Sequence, residues 1–263
     1  LAIQLNELVM QQNEENSLEL VCAAAERGVH QAQLMYGQML LDGKLCDRNM
    51  TAALHWFERS AYGGNVMAMN MVGRCFDQGW GVAPSKRLAE KWFRKAAERG
   101  LDWGMYNLAT LLTLGEGGVQ QDRTAAYLWF RKAEELGHVK SINILGSFYE
   151  DGWVVAQDRA QAREHYRRAA LGGDFRGQFN YARFLLQEGD LLGALHWLRQ
   201  VPNTATAAFL VKMKKSLAEH PQAAVREFAA SLDEVPSTEF ATFPFAEPTA
   251  TTPIQENKEV TLC

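Results

Sequence analysis

One spacing constrains this chain more than any other feature. Glycines fall at Gly28, Gly64, Gly100, Gly137 and Gly173, in steps of 36, 36, 37 and 36 residues. A small residue keeps the same beat at Gly37, Gly73, Ala109, Gly146 and Ala182. An aromatic pair keeps it too, at Trp56-Phe57, Trp92-Phe93 and Trp129-Phe130, weakening to His165-Tyr166 and Trp197-Leu198. Three markers on one period describe a repeat architecture, in which each unit buries its apolar face against its neighbour.

Residues 61–100 show what one unit is: a helix, a Gly-rich loop and a second helix. The closing Gly fits a left-handed helix cap, a conformation only Gly adopts without strain. The small residue sits mid-helix, where Gly costs about 1 kcal/mol relative to Ala, so its recurrence implies close approach of another helix. The aromatic pair supplies the buried surface that locks the two helices together. Asp122, Asp158 and Ser85 stand where a second helix needs an N-cap. Pro84 lies in a loop ahead of a helix, where its missing N–H does no harm.

The loop Gly79-Trp80-Gly81-Val82, with Trp92-Phe93-Arg94-Lys95-Ala96-Ala97-Glu98-Arg99-Gly100 after it, resembles the Sel-one-like repeat (SLR) family, relatives of the tetratricopeptide repeats. The likeness runs over about residues 17–201 and is good in four units. The fifth has Gln187-Glu188-Gly189-Asp190 in place of the Gly-rich loop and is closer to a plain tetratricopeptide unit. The resemblance implies an all-α, right-handed superhelical solenoid of about six antiparallel helix pairs. It also implies protein binding and no chemistry of its own. Residues 1–28 read as a divergent N-terminal capping unit, with a helical face at Ile3, Leu5, Leu8 and Val9 and a second helix capped by Ser17. Residues 29–201 hold five repeats. Residues 202–235 read as a closing helix pair with Pro221 in a first turn. Residues 236–263 are Pro- and Thr-rich, and their Phe240-Ala241-Thr242-Phe243-Pro244-Phe245 is too aromatic for an ordinary linker. This tail is expected to be disordered or docked on the solenoid.

Composition narrows the function. Hydrophobic residues make up 47% of the 263, enough for a core spread along a solenoid, and the net charge of −4 weighs against nucleic acid as a partner. The short basic runs Arg167-Arg168 and Lys214-Lys215 read as solvated faces. The four cysteines, Cys22, Cys46, Cys75 and Cys263, occupy different repeat positions and form no C-x-x-C, unlike secreted relatives with one disulfide per repeat. A reducing compartment, the cytoplasm, is expected; a signal peptide ahead of Leu1 would place the chain in the periplasm or outside the cell. No apolar run reaches the 18 residues a membrane span needs.

No catalytic constellation stands out. Glu164-His165 does not extend to a zinc-protease pattern, and Gly79–Lys86 lacks the G-K-[ST] of a phosphate loop. His55 and His196 share one repeat slot before the Trp and read as repeat positions. No cofactor or metal is expected, and a hydrolase is the weakest of the functional readings.

What remains is the inner face that the resemblance assigns to the first helix of each pair. Positions three before, one after and four after the small residue cluster on one helical side. The candidates there are Asn70, Arg74, Tyr106, Asn143, Phe179 and Arg183. Asn offers both donor and acceptor to a peptide backbone, and Tyr, Phe and Arg are aromatic or cationic anchors of the kind found at interface hot spots. The expected function is a non-enzymatic scaffold that binds a protein segment in this groove. The alternative is a self-associating structural protein whose own C-terminal tail fills it.

Overall fold

The computed structural model describes residues 14–232; the expectations for 1–13 and for the tail at 236–263 lie outside the described residues. Within them are thirteen α-helices, one short 3-10 helix and no strand. They fall into two compact units, divided between Leu136 and Gly137.

The first unit holds α1 (Glu14–Glu26), α2 (His30–Asp42), α3 (Met50–Tyr62), α4 (Val66–Gln78), α5 (Lys86–Glu98), α6 (Asp102–Leu114) and α7 (Arg123–Glu135). Each packs against the next in sequence. The expected caps are in place: Asp122 Oδ1 accepts from Ala125 N at 2.9 Å and Ser85 Oγ from Leu88 N at 3.4 Å. Ser17 is a correction. The helix begins before it, at Glu14, so Ser17 lies inside α1 and is buried.

The two kinds of glycine separate cleanly by cause. At Gly64 φ is +92° and nothing lies within 4 Å of where a Cβ would stand, so Gly is needed there for its backbone alone. At Gly73 φ is ordinary, but a Cβ would lie 2.5 Å from Phe93 Cδ1. The second ring of the aromatic pair therefore presses flat on the helix at the small residue. Around this contact Leu54, Phe57, Met71, Val72, Cys75 and Trp92 form one buried cluster.

The second unit holds α8 (Val139–Asp151), α9 (Arg159–Leu171), α10 (Phe175–Gln187), α11 (Leu191–Leu198), the 3-10 turn Val201–Asn203, α12 (Ala207–Leu217) and α13 (Ala223–Ser231). Asp158, Asp174 and Asp190 cap α9, α10 and α11 through their carboxylates. The core gathers Tyr166, Phe184, Leu185, Leu198 and Met213. Tyr166 takes the place of the second aromatic against Gly146, where a Cβ would lie 2.6 Å from its ring. The second helix of the closing pair begins later than expected: Gln222 stands at the N-cap of α13, leaving Pro221 just before the helix.

One loop position shows strain. Eight residues past the small residue, Gly81 has φ +72°. Leu45 and Val154 fill the same slot in the first and fourth repeats, and both are held at φ +65°. A β-branched residue there is a backbone outlier, and the left-handed region costs a non-Gly residue about 1–2 kcal/mol.

Candidate functional site

The residues expected to meet a partner lie on α4, α6, α8 and α10, the first helices of four pairs. None of the fifteen inward-reading positions is exposed; each is buried or half-buried. The exposed side chains of the repeats lie mainly on the second helices.

Asn70 is 3% exposed and Asn143 1% exposed. Asn70 Oδ1 accepts from Asn107 Nδ2 at 2.9 Å, and Asn143 Oδ1 accepts from Asn180 Nδ2 at 3.0 Å. Each bond joins the first helix of one repeat to the first helix of the next. These two amides hold helices together, and a partner approaching from solvent does not reach them. Asn107 and Asn180 carry half of this work and were not singled out by sequence reasoning. Their signal was an Asn two residues before the small residue in the third and fifth repeats.

Phe179 is half-buried and packs against the core of the second unit. Its ring stands 5.7 Å from Phe209 on α12, which also packs on Phe175 at 4.8 Å. The closing helix covers Phe179 because the fifth repeat has no sixth to stack on.

Arg183 forks onto Glu150: Nη1 to Oε1 and Nη2 to Oε2, each 2.7 Å. Tyr166 Oη donates to the same carboxylate at 2.8 Å. Burial pushes the Glu150 carboxyl up, but the hydrogen bonds from Arg183 and Tyr166 and the charges of Arg183 and Arg159 outweigh it. The group is held below the usual carboxylate range. Arg183 thus ties α10 to α8.

Arg74 and Tyr106, like Phe179 and Arg183, are half-buried. The Arg74 guanidinium lies 4.9 Å over the ring of Trp80, in the Gly-rich loop of its own repeat. Burial lowers its pKa, in spite of Asp77 and Asp42 nearby. Tyr106 is half-buried, its ring set edge-on to Phe130 at 6.0 Å and to Trp103 at 6.1 Å. Thr110, one turn on, donates to the Tyr106 carbonyl and is half-buried as well. Asp77 at the end of α4 pairs with Lys86 at 2.7 Å. Among the described residues no group of His, Cys, Asp or Glu is arranged to hold a metal ion.

The Sel1 repeat model matches residues 30–65, 66–101, 104–138 and 139–174, more than half of the chain. The chain belongs to the Sel1 repeat family. A Sel1 repeat protein from Oxalobacter formigenes superposes with a TM-score of 0.75 at 20% identity, over 89% of this chain and 99% of that one. A protective antigen of uropathogenic Escherichia coli with an SLR fold gives a TM-score of 0.65 at 25% identity, over 83% of this chain and 48% of that one. These likenesses establish an α/α-solenoid repeat fold. In sequence, chitin synthase regulatory factor 3 of Schizosaccharomyces pombe is 32% identical over 121 residues, 44% of this chain and 13% of that protein. An uncharacterized protein of Neisseria meningitidis is 25% identical over 178 residues, 56% of this chain and 38% of that protein. The chain therefore spans well under half the length of these curated relatives. Sel1 repeats generally mediate protein–protein interaction. Among the described residues no helix is long and apolar enough to cross a membrane.

Proposed function

We propose that the chain is a non-catalytic adaptor that receives an extended protein segment along the first-helix face of its first unit, with Arg74 and Tyr106 as anchors. One observation carries this reading. Arg74 is held on Trp80, largely withdrawn from water, at the edge of a row that continues through Tyr106 and Thr110. A guanidinium fixed on an aromatic face loses little entropy on meeting a carboxylate, and its poor hydration strengthens the contact. The segment thus carries an acidic side chain, or its own C-terminal carboxylate, opposite Arg74. Its backbone lies against Thr110. Asn70 stiffens the repeats that present this row, while Asn143, Phe179 and Arg183 do the same within the second unit.

The test is selection of random peptides on the full-length chain, followed by binding to variants of matched circular dichroism. Enriched sequences should share a carboxylate. Binding should weaken about tenfold or more in Arg74→Gln and in Thr110→Arg, the size expected of a hot spot. Lys91→Glu, on a second helix, should leave it unchanged. Peptides that bind Thr110→Arg as well as the parent chain would remove the first-helix face as the binding surface.

A further inference from the structure

The first helices of the first unit carry a second feature beside Arg74. Six residues before the small residue, the register runs Gln31, Met67, Trp103, Lys140 and Arg176, and each is half-buried. A slot that accepts an amide, a thioether, an indole and two cations is not dictated by packing between repeats. The slot of Gly73 is the opposite case, since Phe93 leaves no room there for a Cβ. Met67 and Trp103 are therefore particular to their repeats, and their apolar surface needs another account.

Within the first unit these two residues complete a face divided by polarity. On α4, Met67 stands seven residues before Arg74, which is about two turns and the same side of the helix. On α6, Trp103 stands in the same relation to Thr110, with Tyr106 between them. The bond from Asn107 to Asn70 at 2.9 Å sets α4 and α6 side by side, so Met67 and Trp103 share one register on adjoining helices. The Trp103 ring meets Tyr106 edge-on at 6.1 Å. The N-terminal half of the face is thus apolar, with Met67, Trp103 and Tyr106. The C-terminal half is polar, with Arg74, Thr110 and Asp77. Asp77 is engaged by Lys86 at 2.7 Å and, on α2, Asp42 by the Gln38 amide at 2.9 Å. Arg74 marks the border between the halves: its Nη1 donates to Met71 Sδ at 3.7 Å while its guanidinium lies over Trp80.

An apolar patch bordered by a held cation fits a segment that carries both chemistries. The adaptor reading places a carboxylate at Arg74; the present inference rests on that reading and names the neighbour of that carboxylate. We infer that the bound segment also carries a large aliphatic or aromatic side chain, seated on Met67 and Trp103 with Tyr106 beside it. The helix sets the spacing. Seven residues of α-helix rise about 10 Å, and an extended chain advances about 3.3 Å per residue, so the apolar residue stands about three positions from the carboxylate. The unbranched thioether of Met67 adapts to the shape it meets, and Trp103 and Tyr106 add large ring surfaces. The site therefore selects apolar bulk at that position rather than one particular side chain.

The test uses peptides selected on the full-length chain, each then remade with its large apolar residue changed to Ala. Affinities are measured against the parent chain and against Arg74→Gln, Met67→Gln and Trp103→Ala of matched circular dichroism. The change to Ala in the peptide should weaken binding to the parent chain about tenfold. Met67→Gln and Trp103→Ala should weaken the selected peptides similarly and the Ala peptides hardly at all, whereas Arg74→Gln should weaken both kinds. Met67→Gln keeps the comparison secure if Trp103→Ala folds poorly, because it gives the second repeat the side chain that the first already has at Gln31. Selected peptides that lose affinity in Arg74→Gln but bind Met67→Gln and Trp103→Ala like the parent chain would overturn this inference and leave the adaptor reading standing. Peptides indifferent to Arg74→Gln as well would remove both. Concentration-dependent dimerisation that is abolished by Met67→Gln would make the occupant a second copy of the chain, and would overturn the inference too.

Discussion

Asn107→Ala is the substitution that separates a structural amide row from a ligand-binding one. Asn107 is half-buried, and truncating a half-buried polar side chain ordinarily changes stability by about 0.5 kcal/mol or less. Here its amide is the donor to Asn70 Oδ1, whose residue is 3% exposed. Removing the donor strands a buried acceptor, which costs about 1–3 kcal/mol, more than the roughly 1 kcal/mol net worth of the bond itself. The expected loss is about 2 kcal/mol. Asn70→Ala removes the buried member and leaves only the better-hydrated Asn107 amide behind, so its cost is about 1–2 kcal/mol, part of it packing. The double variant should cost less than the sum by about 1 kcal/mol or more, because the second truncation has no bond left to break. Urea unfolding of the full-length chain, followed by circular dichroism for the four members of the cycle, gives all three quantities. If Asn107→Ala unfolds at the parent's midpoint, or if the two changes add, the amides are not coupled and Asn70 returns to the list of partner contacts.

Val154 is 47% exposed and held at φ +65°, so Val154→Gly should stabilise the second unit by about 0.5–1 kcal/mol, the relief of strain less the added freedom of the unfolded chain; a lower thermal midpoint would refute the strain. The Glu150 carboxyl is depressed in the folded state, so its contribution is present above the ordinary value of 4.5 and is lost as pH falls below it. Acid unfolding should therefore begin earlier in Arg183→Ala than in the parent, and the difference between the two should shrink as the pH is lowered through that range. Burial pushes the Cys75 thiol up to about 12, so a thiol reagent at pH 8 should modify Cys22 and Cys46 well before Cys75 in the native chain, with Cys75 reacting only on unfolding.

Much of the fold was legible because each marker of the repeat answers to a local cause. Gly64 is fixed by its backbone angle and Gly73 by the ring of Phe93, and both causes recur with the period. The caps at Asp122 and Asp158 were legible for the same reason. What escaped is where a repeat position is filled by a residue that does not advertise its conformation. Leu45 and Val154 adopt the left-handed angle of Gly81 without being glycine, because the surrounding turn determines the backbone whatever stands there. Ser17 resembles a cap but lies within α1, since the residues ahead of it continue the helix. Phe179 looked like an anchor because the sequence does not say that α12 folds back with Phe209 against it.

The site was less legible, and the reason lies in a second period hidden under the first. The column three residues before the small residue reads Leu34, Asn70, Tyr106, Asn143 and Phe179, which suggests one row with one task. The structure divides it. Asn70 and Asn143, in the second and fourth repeats, accept from Asn107 and Asn180 in the third and fifth. In those later repeats the same column holds an aromatic, and the Asn has moved one residue along, about 100° around the helix. A row that grips an extended peptide has no need to alternate with a period of two repeats. Head-to-tail pairing does need it, because donor and acceptor approach the shared boundary from opposite sides and cannot use the same register. The aromatics freed by this shift find different neighbours: Tyr106 packs edge-on to Phe130, Phe179 edge-on to Phe209, and both are half-buried. Alternation in a column of a repeat protein is therefore evidence for bonding between repeats. The positions best placed to meet a partner are those, like Arg74 and Thr110, that stand outside it.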